Sequence, residues 1–436
     1  MKKRTVGALL AGALFSSLLL TACGSGSSSN GGGSSTSDSG ATELTVWAWD
    51  ANYNVRAFEE AEKVYDKEVP DTVDLKIVEN AQDDIIQKLN TSLSSGVTDG
   101  LPNIVLIEDY RAKSFLEAYP DSFFPLTDVI KADDFTDYKV EATSVDGENY
   151  AVPFDTSSTG LYVRTDILEE AGYTVDDLKD ITWEKYIEIG KAVSEKTGKK
   201  LISLDVNDLG LVRSMINSTG SWYTGEDGKT PTLADNEALK VAFKDVKAMY
   251  DAKLVDDNSD WSQWLSDFNN GVVWSVPTGN WITPSITAQE DQAGKWAVVS
   301  FPRQELDGSV NASNLGGASI YVLNVDGKEA AAEFLKDTFG SSTDLYKTLV
   351  ENIGAIGSYI PATEAGVYDT EAEYFGGQTI YKDFAEWSTQ IPAVNYGENT
   401  YAIEDILIKA MQNYLKGDDL DKVLENAQKE AENQLK

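Results

Sequence analysis

From Leu44 onward, apolar runs of strand length alternate with segments whose apolar residues recur at helical spacing, and this restricts the chain to α/β architecture. Leu44 to Trp49 reads as a first strand ending at Asp50, Ala51 and Asn52. Ala57, Phe58, Ala61, Val64 and Tyr65 then share a helix face. Val73–Val78 is a second strand and Ile85–Leu93 a helix. Asn103–Ile107 is a continuous apolar strand of the kind buried in a parallel sheet. Further strands are expected at Gly160–Arg164, Leu201–Val206, Val272–Val276, Trp296–Phe301 and Ser319–Asn324. Thr182 is placed to cap a helix over Trp183–Lys196, and Asp235 another that turns Leu239, Ala242, Phe243, Val246 and Met249 inward. Ala330–Phe339 is helical. Two amphipathic helices close the chain, one carrying Ile403, Ile406, Leu407, Ala410 and Met411, the other Leu420, Val423, Leu424 and Ala427. With 436 residues, two or three packed units are expected.

The segment before Leu44 has another character. Lys2, Lys3 and Arg4 precede an apolar run, Val6–Leu20, and then Leu20-Thr21-Ala22-Cys23, which is the order of an export signal. The run is too short for a comfortable membrane span. Leu20–Cys23 resembles a bacterial lipobox, which implies cleavage after residue 22 and lipidation of Cys23, the only cysteine. Gly24–Thr42 is almost all Gly, Ser, Thr and Asn, so residues 23–43 are expected to form a lipidated, flexible tether of about 25 Å root-mean-square reach. The expected location is the cell membrane, lipid-anchored and facing the outside, or the periplasm where an outer membrane exists.

Composition removes several classes of function. There are 72 acidic against 36 basic side chains, so no nucleic-acid partner is expected, because phosphates must be met by Lys and Arg. The absence of histidine excludes a Ser-His-Asp triad and His-based metal sites. No glycine-rich phosphate loop or dinucleotide fingerprint stands in the required context, and no cofactor is expected. Asp205-Val206-Asn207 begins like a calcium loop, but Leu209 stands where an oxygen ligand is needed; no metal site is expected.

Ligands of open α/β sheets bind at the carboxyl ends of strands. One such end delivers Trp49, Asp50 and Asn52, and another Glu108, Asp109 and Tyr110. A third, after Val152-Pro153, delivers Phe154, Asp155 and Thr156. Carboxylates beside aromatic rings suit neutral sugars: the oxygens accept from hydroxyls while a ring covers the C–H face of a pyranose. Of the ten tryptophans, Trp47, Trp183, Trp274 and Trp296 read as core. Trp222, beside Tyr223, and Trp281, after Gly279-Asn280, lie next to Gly in expected loops and read as stacking surfaces. Trp261 and Trp264 stand in an acidic stretch. The many acidic residues also leave open a carboxylate pair for glycosidase chemistry.

An ordered set of segments resembles the extracellular solute-binding proteins of carbohydrate ABC importers, the family that includes maltose-binding protein. Leu44–Asp50 resembles the family's opening strand, and Tyr150–Thr156 with Gly160–Asp166 its hinge crossover and following strand. Ala171–Tyr173 and Thr182–Glu184 resemble the next landmarks, and Gly279–Trp281 its Gly-x-Trp sugar-stacking element. The resemblance implies a two-lobed α/β fold with both lobes discontinuous and the ligand in a cleft at the hinge. Residues 44–153 plus 304–362 would form lobe one, and 154–303 plus 363–436 lobe two. It implies a monomeric, non-enzymatic receptor for a neutral mono- or oligosaccharide, tethered to the membrane and served by membrane permease subunits. The implied ligand contacts are Trp49, Asp50, Asn52, Glu108, Asp109, Tyr110, Asp155, Trp222, Tyr223 and Trp281, with Gly316 and Gly317 returning backbone to the cleft. Trp281 would be an open stacking floor with little packing of its own. The opening strand and Ser313–Gly317 resemble a subgroup with a lactose-binding member. A surface-tethered glycoside hydrolase and a sugar-sensing receptor docked on a signalling partner are the alternatives.

Overall fold

The computed structural model describes residues 40–435. The expected signal, Cys23 and most of the tether lie outside them. The fold begins slightly before the expected boundary. Ala41 is buried, the Thr42 amide donates to the Thr72 carbonyl at 2.8 Å, and strand β1 spans Thr42–Ala48. Thr42 is therefore sheet rather than tether.

The remaining strands are β2 (Val73–Glu79), β3 (Ile104–Glu108), β4 (Ser144–Val145), β5 (Glu148–Asn149) and β6 (Ala151–Pro153). They are followed by β7 (Thr159–Arg164), β8 (Ile202–Leu204), β9 (Val255–Asp257), β10 (Ser275–Gly279), β11 (Trp296–Ser300) and β12 (Ala318–Val322). Five of them form one sheet in the order β2-β1-β3-β12-β6. β1 runs parallel to β2 and β3, with Val46 opposite Ile77 and Ile104, whereas β12 is antiparallel to both β3 and β6. The continuous apolar run of β3 has a direct cause. Ile104 and Leu106 enter a core with Leu44, Val46 and Phe58, while Val105 and Ile107 meet Ile85, Leu89 and Phe115 on the opposite face. Helices α1 (Asn54–Glu68), α2 (Gln82–Ser95) and α3 (Asp109–Ala118) supply those partners.

After β6 the chain leaves this sheet and enters a three-stranded one, β10-β7-β11, antiparallel throughout. A second core lies here, built from Leu161, Val163, Trp183, Tyr186, Phe243, Trp274 and Phe301. Thr182 caps the helix Trp183–Thr197 as its sequence predicts, its hydroxyl accepting from the Lys185 amide. For the helix Glu237–Asp251 the cap is Asn236 and not Asp235: the Asn236 side chain accepts from the Leu239 amide, the register the backbone offers. The strand expected at Val272–Val276 is displaced to Ser275–Gly279, because Val272 and Val273 close the turn after the helix Trp261–Asn269 by bonding to the Asp267 carbonyl. Trp183, Trp274 and Trp296 are all at or below 1 % exposure, as expected of core, whereas Trp47 is half-buried under Lys88.

Asp245, on the helix Glu237–Asp251, is a local cost of this packing. Burial first, and then the charges of Glu184 and Glu305, push its carboxyl up to about 7. The folded protein thus keeps a proton there that the unfolded chain releases near pH ~4. Between those values the native state binds more protons, so this group's contribution to stability falls as pH rises. Asp245→Asn should raise the melting temperature at pH 8 and make no difference below pH 4, which thermal melts at the two pH values check.

Candidate ligand-binding cleft

The carboxyl ends of β1 and β3 are neighbours, and the turn after β1, together with Glu108 at the end of β3, lines a cavity of about 1090 Å³. Asp50 adopts a left-handed conformation (φ +63°), tolerated by Asp because its short side chain bonds locally; here its Oδ1 accepts from the Asn52 amide at 2.9 Å. The turn leaves Asp50 and Asn52 exposed, with Trp49 half-buried beside them. Facing elements contribute Trp261, Trp264 and Trp281, whose ring centroids lie 5.1 to 6.1 Å apart. Gly316 and Gly317 bring backbone to the wall at φ +87° and +96°. A Cβ on Gly317 would lie 2.9 Å from Asp109 Oδ2, so the approach needs glycine.

Of the residues expected from sequence, Trp49, Asp50, Asn52, Glu108, Asp155, Trp281, Gly316 and Gly317 line this cavity. The structure does not bring Asp109, Tyr110, Trp222 or Tyr223 to it. Asp109 is 1 % exposed, accepting from Ser319 Oγ at 2.7 Å and paired with the buried Lys139. Burial pushes its carboxyl up, and Lys139 opposes that. Tyr110 is stacked on Trp222 and lies edge-on to Tyr396. Trp222 donates its indole N–H to the Tyr396 carbonyl at 3.0 Å, and the Tyr223 hydroxyl donates to Glu404 at 2.8 Å. Flanking glycines suggest an exposed loop, but the segment packs against residues some 170 positions away, which no local pattern announces. Asp155 lines the cavity while holding the crossover: its oxygens accept from the Ala318 amide and the Ser157 hydroxyl.

Trp281 also differs from the open floor expected of it. Its indole N–H donates to the Leu315 carbonyl at 2.8 Å, and the half-buried ring packs on the first core. The residues missed by sequence reasoning include Tyr53, Arg213, Asp260, Trp261, Trp264 and Thr278. Trp261 and Trp264 had a signal: they follow Asp260 as an N-cap, three apart on one helix face. Trp261 is 54 % exposed, an unusual position for an indole without a ligand to cover it. Trp261→Ala should cost under about 1 kcal/mol of stability. It should weaken binding of a sugar long enough to reach the rim, by calorimetric titration, more than binding of a shorter one.

Asp50, Glu108, Asp155, Asp205, Asp208 and Asp260 give the described lining its charge, and Arg213 is its one cation. That cation is already balanced, since Arg213 Nη1 donates to both oxygens of Glu404 at 2.7 Å. Arg213 Nε and Thr278 Oγ1 are buried without a hydrogen-bond partner among the described residues. No group of three or more metal-ligating side chains occurs among them, and no helix there is long and apolar enough to cross a membrane. The arrangement offers rings, carboxylate acceptors and a neutralised cation to one open cleft.

Residues 55–373 match the family model of the bacterial extracellular solute-binding proteins. The chain belongs to that family. This solute-binding protein is 41% identical over 396 residues to the lactose-binding protein of Rhizobium radiobacter, covering 91% of this chain and 93% of that one. It is 29% identical to the arabinooligosaccharide-binding protein of Halalkalibacterium halodurans, over 68% of this chain and 67% of the relative. In fold it superposes with a TM-score of 0.74 on the sugar-binding protein MalE of Xanthomonas citri, covering 90% of this chain and 97% of the other at 17% identity. The solute-binding protein thus has the two-lobed α/β architecture of that class.

Proposed function

We propose that this solute-binding protein captures a neutral, short oligosaccharide in the cleft and hands it to the permease of an ABC importer, without chemical turnover. The observation that carries the reading is the cluster of Trp261, Trp264 and Trp281 on a wall whose charged groups are carboxylates and one neutralised arginine. Indole faces cover the apolar side of pyranose rings, and carboxylates accept from their hydroxyls. A carboxylate or phosphate on the ligand would find no free cation among the described lining residues. A cavity of 1090 Å³ lies at the top of the usual small-molecule range of about 300–1,000 Å³, enough for more than one sugar ring. The relative named for lactose makes galactosides the first class to test.

The lobes are proposed as 44–153 plus 304–362 and 154–303 plus 363–436, hinged where the chain passes from β6 to β7. Closure around the sugar would create the surface that the permease recognises. Cys23 is the proposed lipid anchor. Cys23→Ala with the signal still cleaved should release folded protein into the medium, and retention in the membrane fraction would refute the anchor. For the ligand, melting temperature is measured against a panel of neutral di- to tetrasaccharides and uronates. A rise with a neutral sugar supports the reading, and a rise with uronates alone overturns it.

A further inference from the structure

Gly279 is the last residue of β10 and pairs with Thr159 of β7. Its backbone does not ask for glycine, because φ −69° and ψ 155° are extended angles open to any L residue. Glycine in a strand costs chain entropy and supplies no side chain to pack, so its presence here needs another cause. The general cause at such a position is the close approach of another group to the backbone.

Here that group is the indole of Trp281. The single turn Asn280–Ile282 starts directly after Gly279 and folds the ring back over it. A Cβ on Gly279 would lie 2.7 Å from Trp281 Cδ1 and closer still to Nε1, well inside van der Waals contact. It would also stand 2.9 Å from the Leu315 carbonyl oxygen, the same oxygen that accepts the indole N–H at 2.8 Å. The pyrrole edge of the ring is thus held between the end of β10 and the segment that leads into β12. Gly316 does not act in this way, since its Cβ would stand 3.6 Å from Nε1, an ordinary contact. Trp281 and Leu315 line the cavity; Gly279 is not among the described lining residues.

Building on the sugar-binding reading above, we propose that Gly279 is a positioning residue for the ligand: its missing side chain is the space in which the Trp281 indole is seated, so that the ring meets the sugar in one fixed orientation. A Cβ there displaces the ring from the Leu315 carbonyl while every side chain of the cavity wall is still present. Because the backbone angles suit alanine, Gly279→Ala acts through the indole, and its effect should vanish where the indole is absent.

The test titrates the full chain with lactose, or with the tightest neutral disaccharide of a panel if lactose fails. Wild type, Gly279→Ala, Trp281→Ala and the double variant are compared. Gly279→Ala alone should lose about 10–30-fold in affinity, and less than about threefold when added to Trp281→Ala. A loss of the same size in both backgrounds overturns the proposal and leaves sugar binding standing, as does a Gly279→Ala protein that binds like wild type. If no neutral sugar binds wild type, the sugar reading falls and takes the proposal with it. A second readout is the Trp281 indole N–H in the NMR spectrum, assigned by its disappearance in Trp281→Phe. Without ligand it should exchange with solvent deuterium at least about tenfold faster in Gly279→Ala than in wild type, and equal rates overturn the proposal. Should Gly279→Ala alone fail to fold, folding restored by Trp281→Ala supports the seat, and a double variant that also fails to fold overturns it.

Discussion

Asp109→Ala should lower folding stability by about 3–5 kcal/mol, because it leaves Lys139 fully buried and unpaired. The pair sits where segments distant in sequence meet. Asp109 opens α3 directly after β3, Lys139 also donates to the Ala318 carbonyl at 2.8 Å, and Ser319 donates to Asp109. These bonds tie the returning strand β12 to β3 and to the segment before the crossover. Asp109→Asn, which keeps shape and an acceptor, should cost less. Chemical denaturation measures both. A loss below about 1 kcal/mol accompanied by abolished binding would instead make Asp109 a ligand contact.

Trp281→Ala should weaken binding of the best neutral sugar by at least about 2 kcal/mol, roughly thirtyfold in Kd. Because the ring is half-buried and holds the Leu315 carbonyl, the same change should also cost about 1–3 kcal/mol of stability, less than truncation of a core indole. Trp183→Ala is the control. At 1 % exposure, and edge-on to Tyr186 and Phe301, that ring should cost about 3–5 kcal/mol to remove and leave affinity unchanged. Melts and titrations of both variants separate the cases. A Trp281→Ala protein that binds normally once folded would remove the ring from the site.

Much of the architecture was legible in the sequence, because apolar period reports which faces are buried. The alternation from Leu44 to Leu106 marks the strands and helices of the first sheet, and Ile104–Ile107 announces a strand covered on both faces. The antiparallel insertion of β12 beside β3 was not legible, since strand direction leaves no mark on local pattern. Trp49, Asp50, Asn52, Glu108 and Asp155 were found at strand ends, where the fold class itself says ligands bind, whereas Gly316 and Gly317 came from the family resemblance and Trp281 from that resemblance and its glycine-flanked position. Trp222 and Tyr223 were misplaced because their environment is made by Tyr396, Thr400 and Glu404, far along the chain. Asp109 was misplaced for a similar reason: a strand-end carboxylate meets solvent or a buried lysine depending on a helix that local sequence does not position. Arg213 was missed because a single arginine in an apolar helix looks like surface until its partner is known.

Whether the cleft holds a neutral sugar and returns it intact is decided by a tryptophan-fluorescence titration with lactose and other neutral di- to tetrasaccharides, the sugar then being recovered and analysed by chromatography. Trp261, Trp264 and Trp281 line the cleft, so a sugar stacked there should change their emission. The expected result is a saturable change that varies little between low and high salt, since no ligand charge is involved, and sugar recovered unaltered. A response only to anionic ligands, or a sugar hydrolysed during the titration, would refute the sugar-receptor reading.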